Sequence, residues 1–427
     1  CGLAGTRLLP RRVRRGRPAS SRVPLTARWA RLVGRRPLPW AIAATIVLLG
    51  LAVPVLDLRT WPQDPSSQST ELTTRRAHDL VAAEFGPGTN GPLTVVADRT
   101  AVSDDRLAGV VAALDARDDI VAVSPPVTSP DGAVAVVEAV PSFGPTDART
   151  DALVADVRES LPAGVELTGT TAFFSDISTM LAERLWLVIA FVVGVSVLLL
   201  AMVFRSVVVP VKAALMNLLS IAAAYGVVVA VFQWGWGTDL LGLDHPTPVS
   251  SWVPILMFAI LFGLSMDYEV FLLSRVREDY ERTGDPRGSV VRGLSATGRV
   301  ITSAAAIMVA VFLGFATEVD VVVKMLGVGM AAAILLDATV VRMVLVPATM
   351  SLLGHRNWWV PAWLDRVLPT VRAEVTDLDL PTTAVSPSAA SPSATEPVAT
   401  GAGAAGPAVG TDPTPAVDPD RTPVGVR

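Results

Sequence analysis

Apolar residues in this chain fall into long runs separated by polar loops, and the run lengths suit a bilayer better than a globular core. A helix of about 20 apolar residues crosses roughly 30 Å of hydrocarbon. The segments that read as spans are Leu38–Leu56, Leu185–Phe204, Val207–Phe232, Trp252–Leu273, Val300–Ala316 and Met325–Leu353. The last two are parted only by a link carrying Glu318, Asp320 and Lys324. One span therefore precedes the polar stretch 57–184 and five follow it, which predicts a polytopic α-helical membrane protein with one soluble insert.

Inside the insert the hydrophobic period changes repeatedly. Glu71–Phe85 has helical spacing, with Leu72, Ala77, Leu80, Val81 and Phe85 forming one apolar stripe. Leu93–Ala97 reads as a strand. Ser103–Leu114 reads as a helix with Ser103 at its N-cap and Arg106 where a capping-box glutamate would sit. Ile120–Val123 and Ala133–Val140 read as strands, with Pro130-Asp131-Gly132 as a turn between them. Thr146–Leu161 is a helix stopped by Pro162 and Gly164, and Val165–Thr168 is the closing strand. From Leu93 onward this order is the split βαβ pattern of an α+β ferredoxin-like unit. The glycine-rich 86–91 stretch precedes a strand rather than opening a helix, so it reads as a turn and not a phosphate loop. No nucleophile–base pair stands out, and neither enzymatic activity nor a cofactor is expected.

Composition agrees with a lipid environment. The 427 residues are 51% hydrophobic and 17% charged, against about 25% charge in soluble domains, and the mean hydropathy is +0.50. The net charge of −4 decides nothing, but its distribution does: eleven arginines lie between Arg7 and Arg36, and none in the next twenty-two positions. Arg205 and Lys212 flank the link between the second and third spans. Arg275, Arg277, Arg282, Arg287, Arg292 and Arg299 fill the loop between the fourth and fifth, whereas 233–250 holds Asp239 and Asp244 and no basic residue. The positive-inside rule then places both termini in the cytoplasm and the insert outside the cell membrane, with Trp234, Trp236 and Trp252 at the outer interface. The single cysteine, Cys1, excludes an internal disulfide, and His78, His245 and His355 are too scattered to suggest a metal cluster. A chain opening on Cys1 rather than Met reads as a fragment or an incompletely delimited reading frame. Residues 371–427, rich in Pro, Ala, Thr, Ser and Gly and without aromatics, are expected to be disordered.

Charges inside lipid cost roughly 2.5–3.5 kcal/mol each on insertion scales, so they are candidates for function. The fourth span carries Asp267, Tyr268 and Glu269. At 1.5 Å per residue, Asp267 lies about 12 Å and Glu269 about 9 Å from Arg275 along the axis, too deep to be helix-end charges. About 200° separates these two carboxylates around the helix, so they occupy different faces. Gly263, one turn before Asp267, would let a partner helix approach. The sixth span holds Asp337, near Thr339 and Arg342; in an α-helix the five-residue spacing of Asp337 and Arg342 points them apart, so they need not pair. Thr302 and Ser303 of the fifth span could supply hydroxyls, although such residues are common wherever helices pack. A carboxylate in a low-dielectric site can load and release protons near neutral pH, which makes Asp267, Tyr268, Glu269 and Asp337 a candidate proton relay.

The stretch Phe262-Gly-Leu-Ser-Met-Asp-Tyr-Glu-Val-Phe-Leu-Leu-Ser-Arg275 resembles the signature of MMPL transporters in the RND superfamily. Leu336-Asp-Ala-Thr-Val-Val-Arg-Met343 and Gly354-His-Arg-Asn-Trp-Trp359 resemble the same family's last span and its exit, and the likeness covers about residues 30–370. The resemblance implies the second of two repeats, each with one span, an external porter domain and five more spans. It divides this chain into a basic cytoplasmic connector (1–37), a first span (38–56), a porter domain (57–184), a five-helix bundle (185–353), an exit segment (354–370) and a cytoplasmic tail (371–427). It also implies export of lipids or other hydrophobic compounds driven by the proton-motive force. Asp267 and Tyr268 would face an equivalent pair in a missing N-terminal repeat or a second chain. A multidrug efflux relative and a non-transporting sterol-sensing-like sensor are the competing readings. The expected partners are membrane lipids and a hydrophobic substrate, not nucleic acid.

Overall fold

The computed structural model describes residues 25–361, 364 and 366. The connector before residue 25 and the 371–427 tail therefore lie outside the described residues. The chain enters through an amphipathic helix α1 (Leu25–Arg35) and an apolar helix α2 (Pro37–Ala52), which tightens into a 3-10 turn over Val53–Asp57. A short strand β1 (Thr60–Trp61) leads to the insert.

The insert comprises α3 (Thr73–Phe85), β2 (Leu93–Asp98), α4 (Asp104–Asp115), β3 (Ile120–Val123), β4 (Val127–Thr128), β5 (Val134–Pro141), α5 (Thr150–Ser160) and β6 (Val165–Thr168). The sheet order is β3-β5-β2-β6, all antiparallel, with β4 paired to β5. A βαββαβ chain threaded in this way is ferredoxin-like. Alternation sets the core: Leu93, Val95 and Ala97 of β2 face Ala139, Val137 and Ala135 of β5, all fully buried. Leu107, Val110 and Leu114 of α4 and Leu153, Val154 and Val157 of α5 belong to the same buried cluster. Ser103 caps α4, its hydroxyl accepting from the Arg106 N–H at 3.4 Å.

The sequence expectation for α3 does not hold in one respect. Leu80 and Phe85 of its apolar stripe are exposed, at 67% and 74%, and the buried residue is Arg75. Arg75 turns inward because its guanidinium grips Asp79 at 2.8 and 2.9 Å and the Gln68 carbonyl at 2.8 Å. The 86–91 stretch is a turn, and a Cβ at Gly88 would lie 1.8 Å from the Pro141 carbonyl, so only glycine fits there.

After the insert come α6 (Thr170–Phe204), α7 (Val208–Val228, continuing as a π turn over Val229–Gln233), β7 (Val249–Ser250), α8 (Trp252–Thr283), α9 (Pro286–Phe315), α10 (Val321–Leu336), a π-helix over Asp337–Leu345, and α11 (Val346–Leu353). Among the described residues six helical stretches are long and apolar enough to cross a membrane. The protein is a multi-pass membrane protein with an α+β domain between its first and second spans. Within the apolar windows, 67% of that of α7 is buried against 11% of that of α9, so α7 is central and α9 peripheral.

Helix α6 begins well before Leu185. Asp176, Glu183 and Arg184 interrupt hydrophobicity there but not helix, and α5 holds the polar turns. Arg158 forks onto Asp176 at 2.5 and 2.7 Å, and Ser175 donates to Asp151 at 2.5 Å. One rigid helix thus joins the insert to the bundle. β1 pairs in parallel with β7, and Gln63 donates to Asp320 at 2.9 Å, fastening the insert to loops between spans.

Two predictions arise here. A Cβ at Gly226 would lie 1.8 Å from the Leu51 carbonyl, where α7 crosses α2. Gly226→Val should force the helices apart, cost about 1–3 kcal/mol and lower the unfolding temperature in detergent; an unchanged transition would refute this packing. In the insert, Arg75, Arg117 and Arg149 hold the carboxyls of Asp79, Asp119 and Asp147 below their usual range through side-chain hydrogen bonds. A depressed carboxylate stabilises the fold at neutral pH and loses that contribution as pH falls through its folded value. Thermal unfolding of the insert should therefore weaken modestly below about pH 4, and a melting temperature flat from pH 7 to 3 would contradict it.

Candidate functional site

Two faces of α8 carry different chemistry. Trp252, Leu256, Ile260, Gly263, Asp267 and Phe271 recur at helical spacing and are exposed, forming an apolar stripe with one carboxylate. No atom outside its own helix lies within 4 Å of a Cβ built at Gly263. The opposite face buries Ser265 and Glu269. Tyr268 lies between them, half-buried, with the Arg342 guanidinium 5.4 Å from its ring centroid.

The last span meets α8 through its π-helix. Arg342 donates from Nε to Asp337 Oδ2 at 2.8 Å, with Nη2 2.7 Å from the same oxygen. This corrects the expectation that the two side chains need not pair. The wider turn of i→i+5 bonding brings positions five apart onto one face, where an α-helix would separate them. The ion pair then clamps α8: Ser265 Oγ donates to Asp337 Oδ2 at 3.0 Å, and Arg342 Nη2 donates to the Ser265 carbonyl at 2.5 Å.

α7 completes the cluster. Asn217 Nδ2 donates to Glu269 Oε2 at 3.4 Å, and Glu269 lies within electrostatic range of Arg342, Lys212 and Asp337. Lys212, expected from sequence at a loop flank, is only 9% exposed and sits inside α7. Two cations, Lys212 and Arg342, thus share a buried site with two carboxylates, Glu269 and Asp337. Lys212 Nζ, Glu269 Oε1, Asp337 Oδ1 and Arg342 Nη1 are buried without hydrogen-bond partners among the described residues. Such open donors and acceptors are uncommon in finished cores.

Of the four relay candidates, Glu269 and Asp337 lie in this cluster, Tyr268 touches it through Arg342, and Asp267 stands on the open face. Thr302 and Ser303 do not join it: Thr302 donates to the Gly298 carbonyl at 2.9 Å and Ser303 to that of Val300 at 3.0 Å. The sequence reading missed Lys212, Asn217 and Ser265 as site residues. A lysine inside an otherwise apolar helix was the available signal for the first.

A separate apolar cavity of about 510 Å³ opens near the insert-side ends of α2, α6, α7 and α8. Leu58, Leu185, Trp186, Ile189, Ile221 and Phe258 line it. Tyr225 at its wall donates to the Pro254 carbonyl at 2.5 Å.

A family model described as "MMPL family" matches residues 91–372. Membrane protein YdfJ of Bacillus subtilis is 36% identical over 87% of this chain and 52% of its own length. The mycolic acid-containing lipids exporter MmpL11 of Mycolicibacterium smegmatis is 39% identical over 86% of this chain and 40% of its own length. The heme uptake protein MmpL11 of Mycobacterium tuberculosis H37Rv is 41% identical over 86% and 39%. The chain spans about half the length, or less, of these curated relatives. With its family model covering the insert from residue 91 onward and the five spans after it, the chain belongs to the MMPL family.

Proposed function

We propose that this chain is one repeat of a proton-motive-force-driven exporter of lipids or other hydrophobic compounds. It would work in the cell membrane with a second repeat, on the same polypeptide or on another chain. The carrying observation is Asp267, a carboxylate on the exposed apolar stripe of α8, inside a helix long enough to span the bilayer. A bare charge inside a span is costly in lipid, which favours protein or a water-filled path over this face. Gly263 on the same stripe leaves the close approach a partner helix needs.

In this reading Asp267 and Tyr268 load and release protons, and Glu269 and Asp337 respond through the buried cluster. Neutralising Asp267 alters the field at Tyr268, whose ring packs against Arg342; Arg342 in turn grips Ser265 of α8. At its other end α8 meets α6 through Ser251 and Ser178, 2.8 Å apart, and α6 continues into the insert. Proton loading would thereby shift α8 and move the insert, which acts as an external porter domain (57–184) on a five-helix bundle (185–353). The arginines expected from sequence in a loop sit instead on the adjoining ends of α8 (Arg275, Arg277, Arg282) and α9 (Arg287, Arg292, Arg299), and this basic end supports cytoplasmic termini by the positive-inside rule, with 1–37 as a connector and 354–370 as an exit segment.

The apolar cavity supports a hydrophobic cargo, as do the cargoes in the relatives' names, mycolic acid-containing lipids and heme. Cells lacking the intact gene should retain a lipid that normal cells export. Altered drug tolerance with unchanged lipid distribution would favour efflux instead, and no change in either would remove the export reading.

A further inference from the structure

We propose that a pocket between α1 and the first turns of α9 binds the phosphate group of an anionic phospholipid. The pocket is about 300 Å³ and is framed by Arg31 and Arg35 of α1 and Arg287 and Arg292 of α9, with Gly34 and Ser351 completing its walls. It lies away from the buried cluster of α7, α8 and the π-helix, shares no residue with it, and plays no part in the proton account.

The pocket keeps a positive surplus. Arg292 bonds Asp279 at 2.6 Å and lies 3.7 Å from Asp285. Asp285 also caps α9 by accepting from the backbone N–H groups of Arg287 and Gly288. Both carboxylates lie on Arg292, and Asp279 is shared with Arg282 at 2.7 Å. Arg35 and Arg287 are exposed, and their side chains have no hydrogen bond or ion pair among the described residues. A guanidinium fork matches a phosphate better than any other common side chain.

The walls are fixed before a ligand arrives. Ala30 and Val33 of α1 are buried at 2% and 0%, the Trp29 indole donates to the Met343 carbonyl at 3.0 Å, and a Cβ at Gly34 would lie 3.6 Å from Val291. The Met343 carbonyl is open to Trp29 because Pro347, four residues on, has no N–H to donate to it.

Two features choose a lipid over a free anion. On α1 the arginines at 28, 31 and 35 share one side, while Trp29 and Leu32 remain exposed beside them, at 36% and 49%. That is the face of a helix lying in a bilayer surface, basic on one flank and apolar on the next. α1 also runs directly into the apolar α2, whose Leu38 is 56% exposed, so the pocket must sit at headgroup level. Basic pockets between helices at that level suit anionic headgroups. The inference needs only that α2 spans the membrane, and it stands whether or not the chain transports.

The test uses the full chain in detergent, with lipid adducts counted by native mass spectrometry. Palmitoyl-oleoyl phosphatidylglycerol should give one tight adduct that palmitoyl-oleoyl phosphatidylcholine does not. The double substitution Arg35→Gln, Arg287→Gln should weaken it about thirtyfold. Both residues are exposed, so the fold does not depend on them. Arg36→Gln with Arg299→Gln removes the same charge outside the pocket and should leave the adduct intact. Three results would overturn the proposal: equal binding by the pocket variant, equal binding of phosphatidylcholine, or displacement of the lipid by inorganic phosphate at matching concentration.

Discussion

A complete transporter carrying Asp267→Asn should reach the membrane at the normal level and fail to accumulate cargo. The side chain is exposed on α8 and forms no ion pair among the described residues, so its loss barely touches the fold. Its loss does remove the group proposed to carry the proton. One charge crossing 100 mV releases about 2.3 kcal/mol, enough to sustain roughly a fiftyfold cargo gradient at about 1.4 kcal/mol per decade. In the variant that ratio should fall to unity. Cargo partition across reconstituted vesicles, alongside a membrane-insertion assay, measures both halves, and a preserved gradient would remove Asp267 from the mechanism.

Asp337→Asn should behave differently, because this carboxylate is buried against Arg342. Removing one member of a buried ion pair typically costs about 3–5 kcal/mol, since the other charge is stranded. The variant should unfold at lower temperature in detergent as well as fail to transport. Adding Arg342→Gln should recover part of the stability, as the pair's own cation is no longer stranded although Glu269 loses a neighbouring positive charge, while transport stays absent because the clamp on Ser265 is gone. If Asp337→Asn is as stable as the parent, the ion pair across the π-helix is not what holds α8 to the last span. If the double variant transports, the clamp is not part of the cycle.

These two contrasting outcomes reflect what could be read from the chain and what could not. The spans and the ferredoxin-like insert were legible because lipid and sheet each impose a simple period: long apolar runs for helices, alternation for β2 and β5. Helix α6 was cut short on paper because hydropathy reports contact with lipid, and Asp176 and Arg184 keep the helix while leaving the bilayer. The stripe on α3 was misplaced because Arg75 found Asp79 and the Gln68 carbonyl, and those bonds outweighed a modest apolar preference. For the site, single charged residues in apolar runs pointed to Asp267, Glu269 and Asp337. Their partners stayed hidden for two reasons. The pairing of Asp337 with Arg342 needs a π-helix, which no spacing rule built on 3.6 residues per turn anticipates. Lys212 lies near a helix end, where a basic residue also satisfies the positive-inside pattern, so its burial became visible only once α7 was seen at the centre of the bundle.

Coupled proton movement tests the central claim most directly. The complete transporter, in vesicles loaded with a pH-sensitive dye, should move protons across the membrane when its hydrophobic cargo is added and not before, and Asp267→Asn should abolish that signal. Cargo crossing with no accompanying proton movement, or an undiminished proton signal in Asp267→Asn, would contradict the account.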